Sequence, residues 1–474
     1  MQTKKQINIL VTGGSGHWAE LNHYPAILKL KEEGYPVRVL AICDILDPKN
    51  QSEYTKLQEI VATDTPFWIN PINKSEKELY TELTKFHQEH QIDVIIISTN
   101  PGFHYFYCMW AAENKVNILC DKPLAIDKNA AFDIKVATGL EKKLLKLKDQ
   151  IDKNIQEDSR YTFCLPLRRR ALTPFVLIAD HLKDVHSKTG EGIRYLSLII
   201  NGGVHKYPIE FLNGGAHGYL DGFGSLSHSS YHYIDVIAWY LQCAPGNIKK
   251  LEVELPYMFR INDYVKTKGY QKLMHIIEEN ESNGDYENVK IPDEVLNCEL
   301  DFTFHLKLYD AQDNLLGLIS YVNNHTTYTP RLTKYAPEII EHTNTEQGGR
   351  MSQIYLDVHQ GALQNWQLIK NDIVFFGNNI QVKGRMHPKL GKTEITQEFG
   401  DAYDVSTITP KDLLMEFIKK CGGYEVSKNI DYLSNLDDQI LTNKIFYKFY
   451  TKIAEHFVNQ NSEKKVVTDP YIYL

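Results

Sequence analysis

The sequence predicts an α/β fold: a doubly wound parallel sheet of the Rossmann type, followed by an α+β domain with a large, mostly antiparallel open sheet. Three observations carry this prediction. Apolar strands alternate with helices over the first 130 residues, a glycine-rich turn follows the first strand, and strands dominate beyond about residue 190. At 474 residues the chain exceeds what one hydrophobic core usually supports, so two domains are expected.

The first domain is predicted to span residues 1–129. Its strands are continuous apolar runs, as in a parallel sheet covered on both faces: 7–12 (INILVT), 37–43, 92–98 and 116–120. Helical patterns separate them, at 76–90 and 106–114. This alternation of strand and helix is typical of a parallel sheet with helices on both faces.

The second domain is predicted to span residues 130–474. It opens with a Lys- and Glu-rich helical stretch at 130–160, and period-two alternation then marks strands at 300–309 and 315–322. A polar segment at about 257–296 has the composition of an insertion. An apolar and aromatic stripe predicts a C-terminal helix at about 425–460.

Composition excludes several classes of partner. The formal net charge of -8 argues against nucleic acid or an anionic membrane surface, and no apolar run reaches the length of a membrane span. Seven cysteines occur without a CxxC pair, as expected of reduced thiols in the cytoplasm. The first residues lead directly into a strand and contain no signal-peptide pattern, so a cytoplasmic protein is expected.

The glycine-rich turn predicts a dinucleotide site. Residues 14–19 (GSGHWA) fit G-x-G-x-x-A between a strand and a helix, where backbone amides meet a pyrophosphate. Asp44 ends the second strand, where a carboxylate accepts hydrogen bonds from the adenosine ribose and repels a 2′-phosphate. NAD is therefore favoured over NADP. The alternative for Asp44 is a turn or cap residue.

Four segments resemble the glucose–fructose oxidoreductase / inositol dehydrogenase (Gfo/Idh/MocA) family. The resemblance covers residues 6–130 well and 160–242 moderately. The segments are Ala19 with HYPAI at 23–27, STNP at 98–101 with His104, CDKPLA at 120–125, and GSLSHSSYHYID at 224–235. Asp121 stands where the family has Glu in its EKPLA motif.

The resemblance implies an NAD(P)-dependent oxidoreductase that works as a homo-dimer or homo-tetramer. It implies that Lys122 polarises the substrate oxygen and that His232 transfers the proton, since an imidazole titrates near neutral pH. Asp121 orients Lys122 or caps a helix, and Asp235 is expected to be structural. The cofactor-binding residues it implies are Gly14, Gly16, His17, Trp18, Asp44, Ser98, Thr99, Asn100, Pro101, His104, Asp121 and Lys122.

The sequence departs from the family pattern at His228, because the family commonly has Asp four residues before the histidine matched by His232. Three interpretations stay open. His228 and His232 form a proton relay, they form half of a zinc site completed by His217 or His359, or His228 is a hydrogen-bonded structural replacement. No HExxH motif or cysteine ligand set supports a metal, and none is predicted.

Substrate-binding candidates are Lys122, Arg168, His217, His228 and His232. Arg168 and Arg170 fall where the family places residues of the substrate region, with a salt bridge as the alternative for either. His217 lies with Asp221 in a glycine-rich loop, where contact with a polyol and a flexible turn are equally consistent with the sequence.

The predicted function is hydride transfer between a nicotinamide cofactor and a secondary alcohol or ketone of a sugar, cyclitol or sugar derivative. Two alternatives remain: an NAD-dependent glycoside hydrolase that oxidises its substrate transiently and eliminates the aglycone, and a non-catalytic NAD-binding sensor. Net NADH release separates the first alternative from a dehydrogenase, and binding without turnover marks the second.

Overall fold

The protein is described here by a computed structural model of residues 6–202, 218–272, 290–327, 353–370, 379–401 and 408–474. The chain divides into two compact units, each built from three segments. The first unit comprises residues 1–126, 140–168 and 408–440, and the second comprises 127–139, 169–407 and 441–474. This division differs from the predicted single boundary after residue 129, because two later segments return to the first unit.

The first unit contains a six-stranded parallel sheet with the strand order β3-β2-β1-β4-β5-β6. The strands are β1 Ile7–Thr12, β2 Val37–Cys43, β3 Phe67–Ile69, β4 Val94–Ile97, β5 Asn117–Cys120 and β6 Phe163–Cys164. The helices are α1 Tyr24–Glu32, α2 Thr55–Asp64, α3 Glu76–His90, α4 His104–Glu113 and α5 Ile134–Glu157, the last of which starts in the second unit. This is the predicted doubly wound sheet.

The strand order reverses between β1 and β4. In open α/β sheets, ligands bind outside the carboxyl ends of the strands at such a reversal. The central strand β1 is buried except at Asn8, and β4 consists of four apolar residues without exposure (VIII at 94–97). A strand covered on both faces cannot move without opening the core, so the loops after β1 and β4 have rigid supports.

A helix from the far end of the chain completes the core of the first unit. Helix α10, Pro410–Cys421, begins with a reciprocal capping box between Thr409 and Asp412. Its apolar face buries Leu414, Phe417 and Ile418 in the cluster that also contains residues of β1, β2 and α1. This helix lies within residues 130–474, which were predicted to form the second domain.

The second unit is built on a nine-stranded sheet with the order β14-β13-β12-β11-β7-β10-β9-β8-β15. Only the β7–β10 pair is parallel among its described pairs. The strands are β7 Tyr195–Asn201, β8 Lys250–Arg260, β9 Glu299–Tyr309, β10 Leu315–Asn324, β11 Gln353–Gln360, β12 Gln364–Lys370, β13 Asn379–Met386, β14 Glu394–Asp401 and β15 Tyr471–Tyr473. The sheet is the large, mostly antiparallel one predicted.

The remaining described helices are α6 Thr173–Thr189, α7 Tyr231–Cys243, α8 Ile261–Val265, α9 Asp293–Leu296 and α11 Leu436–Asn461. Helix α11 starts later than the predicted 425, because Asn435 and Asp438 each accept the other's backbone amide at 3.0 Å and so cap it there. The predicted insertion at 257–296 is described only at 257–272 and 290–296. No helix in the described ranges combines the length and apolarity needed to cross a lipid bilayer.

Candidate active site

The glycine turn after β1 uses its three glycines for different reasons. Gly13 has φ of +68°, and a Cβ there would lie 2.4 Å from the carbonyl oxygen of Ser98, so only glycine fits. A Cβ on Gly14 would lie 2.6 Å from the hydroxyl of Tyr24, which donates to the Gly14 carbonyl. At Gly16 the nearest atom to a Cβ would be 3.4 Å away, so the chain itself does not require glycine there. This open backbone fits the close approach of a pyrophosphate.

Asp44 is tied to the glycine turn. One carboxylate oxygen accepts the backbone amide of Ser15 at 2.8 Å, and the other accepts the amide of Leu46 at 3.0 Å. Each oxygen has a second lone pair, so both keep capacity to accept a ribose hydroxyl. The carboxylate therefore has a turn-stabilising role, and its position at the end of β2 also fits the predicted ribose contact.

The segment after β4 shapes the neighbouring loop. The Ser98 amide bonds to the Thr12 carbonyl at 3.0 Å, which holds the loops after β1 and β4 together. Asn100 accepts the Gly102 amide at 2.9 Å and caps a short 3₁₀ turn that starts at the buried Pro101. His17 and Trp18 lie exposed after the glycine turn, where a bound dinucleotide has room to contact them.

His104 was predicted to contact the cofactor, and that contact stays a prediction. The ring is buried, with Nδ1 2.7 Å from the Pro123 carbonyl and Nε2 3.0 Å from the Thr99 carbonyl. Burial lowers the pKa of His104. A neutral imidazole carries one N–H, so the ring donates to one of these carbonyls and lies between the loop after β4 and the loop after β5.

Asp121 and Lys122 follow β5, and the Lys122–Pro123 peptide is cis. Burial raises the pKa of the Asp121 carboxyl to about 6, while the charge of Lys122 and the Ser98 hydroxyl at 3.3 Å act to lower it. Lys122 is half-buried. The loops after β1, β2, β4 and β5 thus bring Gly16, Asp44, Ser98 and Lys122 to one edge of the sheet.

The second candidate cluster lies in the second unit, around the histidines before and in α7. A π-helical turn, Leu226–Ser230, leads directly into α7, so this segment is helical, as the prediction for His228 and His232 requires. His228 is buried, with Nε2 3.0 Å from the Tyr219 hydroxyl and its ring edge-on to His325 at 5.6 Å. His232 is half-buried in the next turn.

Polar side chains from β10 meet this helical turn. Three alternate positions contribute Tyr321, Asn323 and His325, all buried. Asn323 donates to the Ser225 hydroxyl at 3.1 Å, and His325 Nε2 lies 2.8 Å from the Ser229 hydroxyl. The serine-rich turn before His232 therefore forms hydrogen bonds with polar side chains at the end of β10.

A family model matches the N-terminal part of the chain. Residues 7–146 match the family model of the Gfo/Idh/MocA oxidoreductases with an NAD-binding Rossmann fold. The glycine turn, Asp44 and Lys122 lie within this segment, which is therefore similar to the NAD-binding domain of these oxidoreductases. No curated protein sequence matches the chain.

Solved structures share the fold over almost the whole chain. A levoglucosan dehydrogenase in complex with NADH and levoglucosan is 12% identical, with a TM-score of 0.51 and 99% of each chain covered. An aldose-aldose oxidoreductase from Caulobacter crescentus, complexed with glycerol, is 11% identical, with a TM-score of 0.50, covering 99% of this chain and 100% of its own. An NAD-binding oxidoreductase from Klebsiella pneumoniae is 13% identical, with a TM-score of 0.52, covering 99% and 98%. At these identities the likeness shows the fold alone.

In the second unit, Arg170 has a structural role. Its guanidinium makes three hydrogen bonds of 2.8–3.2 Å to the carboxylate of Asp235, which also accepts the Thr442 hydroxyl at 3.0 Å. Both members of the pair are buried. These contacts give Asp235 a place in a buried ion pair, in keeping with its expected structural role. Arg168 lies half-buried at the start of a 3₁₀ turn, and its substrate contact stays a prediction.

The zinc interpretation gains no support from the described residues. His359 lies 3.2 Å from Asp357 and 3.1 Å from Asn365 within the β11–β12 hairpin, and His217 falls outside the described residues. No group of three or more potential metal ligands occurs in the described part of the chain. His228 instead has the hydrogen bond to Tyr219 that the structural interpretation expects, while its part in a proton relay stays a prediction.

Sequence reasoning missed Glu299 at the start of β9. Its Oε1 accepts the Gly224 and Leu226 amides at 2.8 and 3.1 Å and the Tyr450 hydroxyl at 2.9 Å. Burial raises the pKa of Glu299 to about 7. A Cβ on Gly224 would lie 2.1 Å from the Glu299 carbonyl oxygen, so the backbones are in close contact. The sequence signal that could have indicated Glu299 was an acidic residue at the start of an apolar strand.

Proposed function

We propose that the protein transfers a hydride between NAD and a secondary alcohol or ketone of a sugar, cyclitol or sugar derivative. The observation that carries the proposal is the edge of the first sheet, where Gly16, Asp44 and Lys122 follow β1, β2 and β5. Two structures of similar fold bear the names of sugar oxidoreductases, levoglucosan dehydrogenase and aldose-aldose oxidoreductase.

The residues fit NAD on three counts. The backbone at Gly16 is open, the Asp44 carboxylate has lone pairs for the ribose hydroxyls, and its charge disfavours a 2′-phosphate. NAD supplies the hydride acceptor when bound. The proposal assigns the exposed His17 and Trp18 to the wall of the dinucleotide site.

The proton chemistry is assigned to the protein's own side chains. Lys122 donates a hydrogen bond to the substrate oxygen and stabilises the negative charge that develops as the hydroxyl proton leaves. His232 accepts that proton, and His228 assists it. Arg168 and His217 are proposed to contact the substrate. The active species is proposed to be a homo-dimer or homo-tetramer in the cytoplasm.

The test is an assay of purified protein with NAD and a panel of polyols, free sugars and glycosides, following NADH absorbance and aglycone release. NADH accumulation with one substrate group is expected. Lys122→Ala and His232→Ala are each expected to lower kcat by about 100-fold or more with NAD binding retained. Lys128→Ala and His387→Ala remove the same groups from exposed positions and serve as controls.

Three results would overturn the proposal in different ways. Aglycone release without net NADH identifies a glycoside hydrolase. NAD binding without turnover on any substrate identifies a sensor. Full turnover by the Lys122→Ala and His232→Ala variants removes these residues from the mechanism.

A further inference from the structure

Tyr219 is held by a turn that only glycines allow. It starts a 3₁₀ turn, Tyr219–Asp221, flanked by Gly218 at φ +74° and Gly222 at φ +80°. A Cβ on Gly218 would lie 1.9 Å from the ring of Phe223. The backbone on both sides of Tyr219 is therefore fixed, and its side chain is fully buried.

The ring of Tyr219 is packed partly by the segment that the sequence marks as an insertion, 257–296. Its described parts, 257–272 and 290–296, contribute to a buried cluster with Tyr219. The other buried members of that cluster are Ile261, Tyr270, Val295, Cys298 and Leu300. In addition, the Cys298 thiol lies 3.4 Å from the Tyr219 carbonyl oxygen. The described parts of the insertion and the start of β9 thus enclose the ring of this tyrosine.

The hydroxyl end of Tyr219 contacts His228, the residue at which the sequence departs from the family pattern. Its hydroxyl lies 3.0 Å from Nε2 of His228, and the two rings meet edge to face at 5.4 Å. On a further side, His228 packs against the ring of His325, whose backbone amide bonds to the carboxylate of Asp301. The Tyr219 hydroxyl can donate to a ring nitrogen or accept from it, so this contact restrains the orientation of the imidazole ring whichever nitrogen carries the N–H.

We propose that the buried cluster around Tyr219 is a positioning element for the reaction: it holds Tyr219, whose hydroxyl fixes the ring orientation of His228. Tyr219 is a positioning residue, since it acts through His228. The inference rests on the proposed function for its catalytic consequence, but the orientation of the His228 ring is a property of the second unit alone. The insertion and the histidine at position 228 then act together, because the insertion helps to hold Tyr219 and Tyr219 orients His228.

The first experiment is Tyr219→Phe, which removes the hydroxyl and keeps the ring in its packed position. We expect kcat to fall about tenfold with KM changed less than about twofold, because orientation and not binding is lost. The pH profile of kcat should shift, and the side-chain ¹⁵N shifts of His228 should move away from their native values, because the hydrogen bond to Nε2 is lost. Tyr270→Phe, which removes a hydroxyl from the same cluster, is the control and should change none of these.

The second experiment changes the packing around Tyr219 and measures the effect on kcat. Val295→Ala loosens the cluster without touching the Tyr219 hydroxyl, and Val253→Ala deletes the same atoms from a fully buried position in β8 outside the cluster. We expect Val295→Ala to lower kcat several-fold in the native background and to add nothing in the Tyr219→Phe background. Val253→Ala should leave kcat unchanged.

The outcomes separate this inference from the proposed function. Native kcat and native His228 ¹⁵N shifts in Tyr219→Phe, or additive effects of the two substitutions, would overturn the positioning role. If Tyr219→Phe does not fold, the ¹⁵N shifts of His228 in Val295→Ala decide whether the cluster positions this ring. If no sugar or polyol is oxidised but the ¹⁵N shifts of His228 change as expected, the proposed function fails and the positioning of His228 stands.

Discussion

The carboxylate of Asp44 accepts the backbone amide of Ser15 at 2.8 Å, so the acid at the end of β2 and the glycine turn after β1 form one hydrogen-bonded unit. Any change to this acid alters both the ribose contact and the shape of the turn.

Asp44→Asn is expected to weaken discrimination between the two dinucleotides. Removing the charge removes repulsion of a 2′-phosphate, so the ratio of the NADP and NAD dissociation constants should fall about tenfold, equivalent to about 1.4 kcal/mol. Separate fluorescence titrations with NAD and NADP measure it. Asp47→Asn, at an acid whose side chain accepts the nearby Lys49 amide at 2.9 Å, is the control. An unchanged ratio would show that Asp44 is a turn residue alone.

Gly16→Ala is expected to separate folding from cofactor binding. A Cβ there makes only an ordinary 3.4 Å contact, so the melting temperature should stay near that of the native protein. The same Cβ occupies the space that a pyrophosphate needs, and the NAD dissociation constant should rise about tenfold or more. Gly139→Ala, at a helical glycine with open space around it, is the control. Unchanged NAD affinity would place the pyrophosphate elsewhere.

Breaking the Arg170–Asp235 pair is expected to destabilise the protein strongly. Arg170→Met leaves a buried carboxylate without its guanidinium partner, a change that costs about 3–5 kcal/mol of unfolding free energy. Replacing both, as Arg170→Met with Asp235→Leu, should cost less, because no charge is left unpaired. Urea denaturation compares the midpoints. Arg160→Met breaks an exposed pair with Asp158 and should leave the midpoint nearly unchanged. Equal losses in the single and double variants would contradict this account.

Glu299→Gln is expected to remove a pH dependence of stability. Burial raises the pKa of this carboxyl from 4.5 to about 7, so between these values the folded protein binds more protons than the unfolded chain. Native stability should therefore fall as pH rises from about 4.5 to about 7, by roughly 3 kcal/mol for this group. Melting curves across that window should be flatter for Glu299→Gln. Glu394→Gln, at an exposed position, should keep the native slope, and a native slope in Glu299→Gln would refute the assignment.

The sequence predicted the parts of the fold that local patterns determine. Strand β1 and strand β2 have the predicted bounds, as has helix α3, because continuous apolar runs and an amphipathic period are visible within each segment. Helix α10 also has a clear local pattern, but its place in the core of the first unit depends on contacts with residues almost 400 positions away along the chain. No local period carries that information.

The candidate site, like the fold, could be predicted from the sequence only in part. The motifs located Gly16, Asp44 and Lys122 at the ends of strands, since strand order and motif position together fix the edge of the sheet. They did not show that both ring nitrogens of His104 face backbone carbonyls, because those carbonyls belong to two separate loops. They missed Tyr219, whose importance depends on contacts with Val295 and His228 and not on its neighbours in sequence.

The three-segment construction of the first unit sets an order of events during synthesis. Its core needs Leu414, Phe417 and Ile418, which leave the ribosome about 250 residues after β6, Phe163–Cys164, the last strand of the sheet. At about 5–20 residues per second, that interval lasts roughly 12–50 s. During that time the nascent sheet carries an apolar face that its final helix has not yet covered, which makes it a natural client for a chaperone. The domain that begins the chain is therefore among the last parts to finish folding.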